Sequence, residues 1–338
     1  MIKKIIGLIL ILNFSYSSIE ISGDARFRPR YDIKEYSNQD NTADLYYLYR
    51  ARINLNADIG GGWFFKSKIG TNDIAGMTKM SSSDQGPGNF NSSRPNLSFM
   101  ELYYGFKKEN CGFWVGAFPL DYTPAFDLHF YSDKLVDIPW VLYNNGSTLG
   151  LSGYQLLKGH QLNWFLSVDN NNTNSTESII DGVGVEDNQE DGYTLGFNAT
   201  FKMMNMSLTP NILMSFGEGD LPMTYGFNLS LPKLANLSSS ISYYMSSDDN
   251  YDTDHIRLQL TSPTAKGKTK FFYDLVNKDD DVLSYIWLSY THMCYKGDFG
   301  SVTISPTLRV QSGGYADDVF DENYSRSKME ITTQIKFK

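Results

Sequence analysis

The segment DARFRPRYD, residues 24–32, places Arg26, Arg28 and Arg30 at every second position, with Ala25, Phe27 and Tyr31 between them. A strand turns successive side chains to opposite faces, so a strand here has one wet, cationic side and one apolar side. The next segment, DLYYLYRARINLNADIG (44–60), repeats the pattern. Leu45, Tyr47, Tyr49, Ala51, Ile53 and Leu55 share one face, and Arg50, Arg52, Asn54 and Asn56 share the other. The same period runs through QLNWFLSVD (161–169), YTLGFNATF (193–201) and TYGFNLSL (224–231), where the polar partners are mostly Asn, Ser, Thr and Gly. Any fold for this chain must offer an apolar solvent to one set of faces and water to the other.

The N-terminus narrows the choice. Lys3 and Lys4 precede an apolar run from Ile5 to Leu12 and small residues at Ser15 to Ser18. That is the pattern of a secretory signal peptide, residues 1–18, cleaved near Ser17 or Ser18. Its removal takes two lysines and no acid, moving the formal net charge from -9 to about -11, which argues against nucleic acid as a partner. No later apolar run approaches the roughly 18 residues of a membrane-spanning helix, and the mean hydropathy is negative. A transmembrane β-barrel escapes that test, because its strands need only about 9 to 11 alternating residues each. Aromatic residues make up 14% of the chain, enough for the interfacial girdles of such a barrel.

Strands are expected at 19–33, 45–58, 63–70, 96–107, 112–118, 147–157, 161–169, 192–202, 206–216, 223–231, 236–246, 255–263, 269–276, 283–295, 299–311 and 326–338. Three of them, 63–70, 112–118 and 283–295, carry apolar residues on both faces. Short linkers such as GGG (60–62), KKEN (107–110), KGH (158–160) and KGK (266–268) carry Gly and Lys. Long ones such as SDDNYDTD (247–254), NKDDD (277–281) and YADDVFDENYSR (315–326) carry acids. Short periplasmic turns opposite longer external loops are the habit of outer-membrane barrels. The expected fold is therefore all-β: one transmembrane antiparallel barrel over residues 19–338 with about 16 strands. A soluble sandwich of hairpins is the competing architecture. Proline in a sheet marks an edge or a bulge, so the first strand is expected to bend at Pro29.

Neighbouring strands of a barrel pool their inward residues. The first three contribute a basic patch of Arg26, Arg28, Arg30, Arg50 and Arg52, joined in the same phase by Lys66 and Lys68; Arg257 and Arg309 lie apart from it. Each such charge facing lipid at the midplane would cost about 2–4 kcal/mol, so the patch must face a water-filled lumen. There it would select ions through a field focused by low-dielectric walls. Alternatively, the arginines pair with lumenal acids such as Asp24, Asp32 and Glu330 and merely hold the wall. The wall argues for anions, whereas the acidic loops and net charge argue for cations; a modest anion preference is expected. Passive diffusion breaks no bond and needs no cofactor.

The leader, the opening strand ISGDARFRPRYD (21–32), the arginine-bearing YRARINL (49–55) and the closing MEITTQIKF (329–337) resemble a bacterial outer-membrane porin of the sixteen-stranded general type. The chain departs from that family in ending on Lys338 rather than on an aromatic residue. The resemblance implies a diffusion channel for small hydrophilic solutes and ions, embedded as a homotrimer among outer-membrane lipid and lipopolysaccharide. It implies that the linker 71–95 latches onto a neighbouring subunit. It also implies that the third long linker, 119–145, folds inward as a constriction loop bearing Asp121, Asp127, Asp133 and Asp137, with Phe126, Phe130 and Trp140 to pack against the wall. The alternatives are a substrate-selective or polyanion-exporting channel and a rim protease.

DDNYDTDH (248–255) sets Asp248, Asn250, Asp252 and Asp254 at alternate positions, a weak metal candidate. Hard cations want several oxygens, but the glycine and terminal glutamate of a calcium loop are absent, and a solvated acidic loop, steadied by divalent ions shared with lipopolysaccharide, is the plainer reading. Asp254 and His255 are the pair on which a protease reading would rest. Cys111 and Cys294 show no metal spacing and stand either as a disulfide or as two separate thiols.

Overall fold

Alternation becomes strand along almost the whole chain. The computed structural model describes residues 18–36, 40–71, 77–80, 97–120, 147–170, 192–217, 223–247, 252–278, 281–313 and 324–338. In order these form β1 (Ser18–Glu35), β2 (Thr42–Gly60), β3 (Trp63–Thr71), β4 (Thr78–Lys79), β5 (Leu97–Lys107), β6 (Cys111–Phe118), β7 (Thr148–Leu157), β8 (His160–Asn170) and β9 (Gly192–Met203). There follow β10 (Met206–Phe216), β11 (Met223–Ser230), β12 (Ser238–Ser247), β13 (Asp252–Thr264), β14 (Gly267–Lys278), β15 (Asp281–Gly297), β16 (Gly300–Gly313) and β17 (Tyr324–Phe337). All sixteen expected strands are present, their ends moved by a few residues. The two-residue β4, inside the linker 71–95, was not expected; it pairs with β2 at Leu48 and Tyr49.

Successive long strands pair antiparallel, and β1 pairs with both β2 and β17, so the sheet closes on itself and has no open seam. Closure satisfies the backbone groups that an apolar surrounding would leave stranded. The burial pattern is that of an object turned inside out. Outward residues such as Ile53, Leu149, Leu308 and Ile335 are exposed, while inward polar ones such as Asp24, Ser152, Asn198 and Asp274 are buried against one another. Aromatic pairs ring the outer surface near both ends: Trp63 with Phe106 and Phe113 at one, Tyr193 stacked on Phe216 at the other.

The hairpins at the end where β1 begins are tight. Lys158 and Gly159, and likewise Met204 and Asn205, both have positive φ, the two-residue turn whose twist matches that of its strands. At the other end the connections are longer around β5 to β9, but two of the expected long linkers shrink. β13 and β12 run into SDDNYDTD and leave 248–251; β14 and β15 run into NKDDD and leave 279–280. Polar residues in these segments extend the wall instead of looping out. With 18, 19 and 17 residues, β1, β2 and β15 far exceed the roughly 9–11 that a tilted crossing requires, so the wall is tall on that side.

Pro29 leaves the register unshifted. The β1–β17 ladder skips from Phe27↔Thr333 to Arg30↔Glu330 in unchanged register, while Pro29↔Tyr47 continues the β1–β2 ladder. Each residue of an antiparallel pair sends its N–H to one neighbour only, so a proline interrupts one ladder and spares the other. Pro210 and Pro306 behave alike. The chain end is equally conservative: Phe337 faces Gly23, and Lys338 N–H donates to the Phe299 carbonyl. Both cysteines are free thiols, Cys294 lying at a bulge in β15.

Candidate functional site: the charged lumen wall

Cross-strand register decides which charges meet. On the inner face, Arg26 stands opposite Arg50 and Asp24 opposite Arg52. Like charges directly opposite destabilise a sheet, but diagonal neighbours also lie within reach of long side chains. Asp24 exploits this: it accepts from Arg50 Nη2 at 2.8 Å and Arg52 Nε at 2.8 Å, and lies 3.5 Å from Arg26. Across the seam, Glu330 of β17 takes Arg30 at 2.7 Å, Arg309 of β16, and Arg28 at 3.8 Å. Asp32 accepts both arms of Arg326, at 2.8 and 2.7 Å, and the Tyr46 hydroxyl at 3.0 Å. Three carboxylates are thus shared among Arg26, Arg28, Arg30, Arg50, Arg52, Arg309 and Arg326, with the buried Lys328 facing Asp32 in the ladder.

The five arginines read from the first two strands are therefore brought together. Lys66 and Lys68 share their inward phase but not their cluster: Lys68 pairs with Glu101, and Lys66 sits 5.8 Å from the Phe64 ring nearer the short turns. Arg309, expected to lie apart, joins the cluster through barrel closure, as do Arg326 and Lys328, which sequence reasoning missed. The signal was present in SRSKMEITTQ, where Arg326, Lys328 and Glu330 alternate with Met329 and Ile331. Recognising it requires knowing that the last strand lies beside the first.

Exposure divides the arginines by role. The side chains of Arg26, Arg52 and Arg28 retain 26%, 22% and 14% of their accessible surface, whereas those of Arg30, Arg50, Arg309 and Arg326 retain 8% or less. The first group meets lumenal water; the second is locked into the wall. Half a turn around the sheet, β8 to β10 face them mainly with uncharged groups, apart from Asp169, which accepts from Ser167 at 2.7 Å and from Thr194, and Lys202 near a short turn. Asn163 Nδ2 donates to Asn198 Oδ1 at 2.6 Å, Asn211 Nδ2 to the Tyr244 hydroxyl at 2.9 Å, and Thr194 lies 2.7 Å from Ser215.

Arg257 holds a second, smaller cluster on β13 and β14. Asp274 accepts from its Nε at 2.5 Å and its Nη2 at 2.7 Å, and His255 Nε2 lies 3.1 Å from the same carboxylate. Asp254 is on the opposite side of the wall, where it accepts from Asn277 at 2.8 Å. Adjacent residues of a strand cannot converge, which removes the Asp254 and His255 dyad. Asp252 also points outward, accepting from Ser247 at 2.6 Å. Asp248 and Asn250 lie outside the described residues, and among the described residues no three His, Cys, Asp or Glu gather as a metal site. Asp121, Asp127, Asp133 and Asp137 also lie outside the described residues.

No protein-family model and no curated protein matches the sequence. Solved structures do match the fold. An anion-selective porin from Comamonas acidovorans shares 14% identity, with 95% of this chain and 100% of that one covered at a TM-score of 0.57. OmpF of Salmonella typhi, in a complex with daunomycin, shares 12%, covering 94% and 97% at 0.56. OmpT, an outer membrane protein of Vibrio cholerae in its trimer form, shares 11%, covering 95% and 100% at 0.52. An apolar exterior, a polar lumen and a closed sheet of sixteen long antiparallel strands give this chain the fold of the bacterial outer-membrane porins.

Proposed function

We propose that the chain is an outer-membrane channel through which small hydrophilic solutes and ions diffuse passively, with a modest preference for anions. The observation that carries this reading is the cation surplus of this cluster, where three carboxylates serve seven arginines and a lysine opposite a face made mainly of amides and hydroxyls. Fixed charge on a low-dielectric wall raises the local concentration of counter-ions. The far wall, mainly uncharged and bearing the Asp169 carboxylate, also argues against a polyanion conduit, which would want cations all around.

In the same proposal residues 1–18 are a cleaved leader, and the mature chain assembles as a homotrimer in contact with lipid and lipopolysaccharide. The segment 119–145 narrows the lumen and brings its aspartates toward the basic wall. Reversal potentials in a KCl gradient across a planar bilayer test the central claim. Chloride should permeate more readily than potassium, and Arg26→Glu combined with Arg52→Glu should turn the preference toward potassium. Clear cation preference in the wild type would overturn the selectivity, and an absence of any conductance would overturn the channel.

A further inference from the structure

Two of the strands that carry apolar residues on both faces, β3 and β6, turn large rings into the lumen, where lipid cannot account for them. Phe64 of β3, Tyr103 of β5, Phe118 and Trp114 of β6, and Tyr154 of β7 form a chain of ring contacts, edge-to-face except for the tilted Trp114–Tyr154 pair. Its centroid separations are 6.0, 6.4, 6.4 and 6.3 Å. The ladder register confirms their common phase: Phe64 faces Gly105, which faces Trp114, while Tyr154 faces Gly112 on one side and Asn163 on the other. A Cβ on Gly112 would stand 2.5 Å from the Tyr154 ring, so the ring lies against the wall because that position is bare.

Phe64, Tyr103, Trp114 and Tyr154, though not the fully buried Phe118, border a recess of about 970 Å³ at the short-turn end of the lumen, near the top of the range of roughly 300–1,000 Å³ for small-molecule sites. Its other side is made of carboxamides. Gln161 Nε2 donates to Asn163 Oδ1 at 2.7 Å, and Asn163 in turn donates to Asn198; Gln161 itself is exposed and lines the recess. The rim charges come near to balance, with Lys66, Lys107 and Lys108 against Asp58 and Glu109. Flat apolar faces beside neutral donors and acceptors, with little net charge, suit a solute that is itself apolar on its faces and hydroxylated at its edges.

We propose that this recess is a binding subsite for the pyranose rings of neutral oligosaccharides. The C–H faces of a sugar ring stack on Trp114 and Phe64, the two rings of the chain that stay part-exposed, and its equatorial hydroxyls exchange hydrogen bonds with Gln161 and Asn163. The lumen then has two zones, a basic one acting on ions and an aromatic one retarding sugars. This inference rests on the channel reading, and its test separates the two.

The mature protein, inserted in a planar bilayer, is exposed to maltopentaose on the side of the short turns, with a polyethylene glycol of matched hydrodynamic size as control. Maltopentaose should give resolved current blockades outlasting those of the polymer. Trp114→Ala should shorten them about tenfold, the worth of one well-placed ring contact, with open-channel conductance retained. Gln161→Ala, away from the ring chain, should shorten them as well and serves if Trp114→Ala fails to assemble. Blockades equal to those of the polymer, or insensitive to both substitutions, would overturn the sugar subsite while leaving the channel intact. Blockade by benzoate but not by maltopentaose would replace it with a site for aromatic anions.

Discussion

Arg26 and Arg50 face each other across the β1–β2 ladder, and Asp24, one step along the same face, sits between them and makes that tolerable. The same economy recurs at Glu330, whose side chain is 1% exposed and touches Arg28, Arg30 and Arg309. Removing one partner of a buried pair leaves a charge in a poor solvent and costs about 3–5 kcal/mol. Glu330→Gln should therefore lower the unfolding free energy, read from urea titration in detergent micelles, by an amount of that order and move the midpoint down with it. Arg26, a quarter exposed, behaves as a surface charge, where a pair is worth about 0–1 kcal/mol. Arg26→Gln should leave the midpoint nearly unmoved and instead shift the reversal potential in a salt gradient. Should the two substitutions destabilise equally, the division of the wall into locked and water-facing arginines is wrong.

At the scale of the strand, the outward face is the simplest to test. Ile53 is 52% exposed on β2, and an arginine there would sit in hydrocarbon at a cost of about 2–4 kcal/mol. Ile53→Arg should reduce folding into lipid vesicles by that amount, read as a lower denaturant midpoint, whereas Asn54→Arg, one residue along and facing inward, should not. This two-residue period is also why the strands were legible in the sequence: β1, β2 and β8 to β11 each spell out their two solvents. β3 and β6 were less legible because Phe64 and Trp114 put rings where Asn or Ser would be expected, an irregularity that marks the recess. The ion-pair partners were half legible. Asp24 and Asp32 lie on the same strand as the arginines, but Arg309, Arg326 and Lys328 are hundreds of residues away, and only closure brings them in. β4 escaped notice because two residues set no period. Which ladder Pro29 interrupts was not legible, because a lone strand does not reveal which neighbour its N–H would have served.

For the molecule as a whole, the tall wall from β13 through β17 to β2 carries nearly all the described ion pairs, with the stacked Phe272 and Trp287 among them, and the shorter wall from β3 to β12 carries the ring chain of the recess and the Asn163–Asn198 amides. Height and charge coincide, since a strand that stands above the hydrocarbon needs polar side chains along more of its length. The seam between β1 and β17 has one more consequence. Gly23 lies beside Phe337, so both chain ends emerge together at the rim of tight turns. A circle of strands with adjacent ends has no privileged starting point. Circular permutation, joining residue 338 to residue 18 by a short Gly-Ser bridge and opening the chain at Met204–Asn205, should yield a pore of parental conductance. Failure of that permuted chain to insert would mean that the order in which hairpins emerge, and not the finished topology alone, governs assembly.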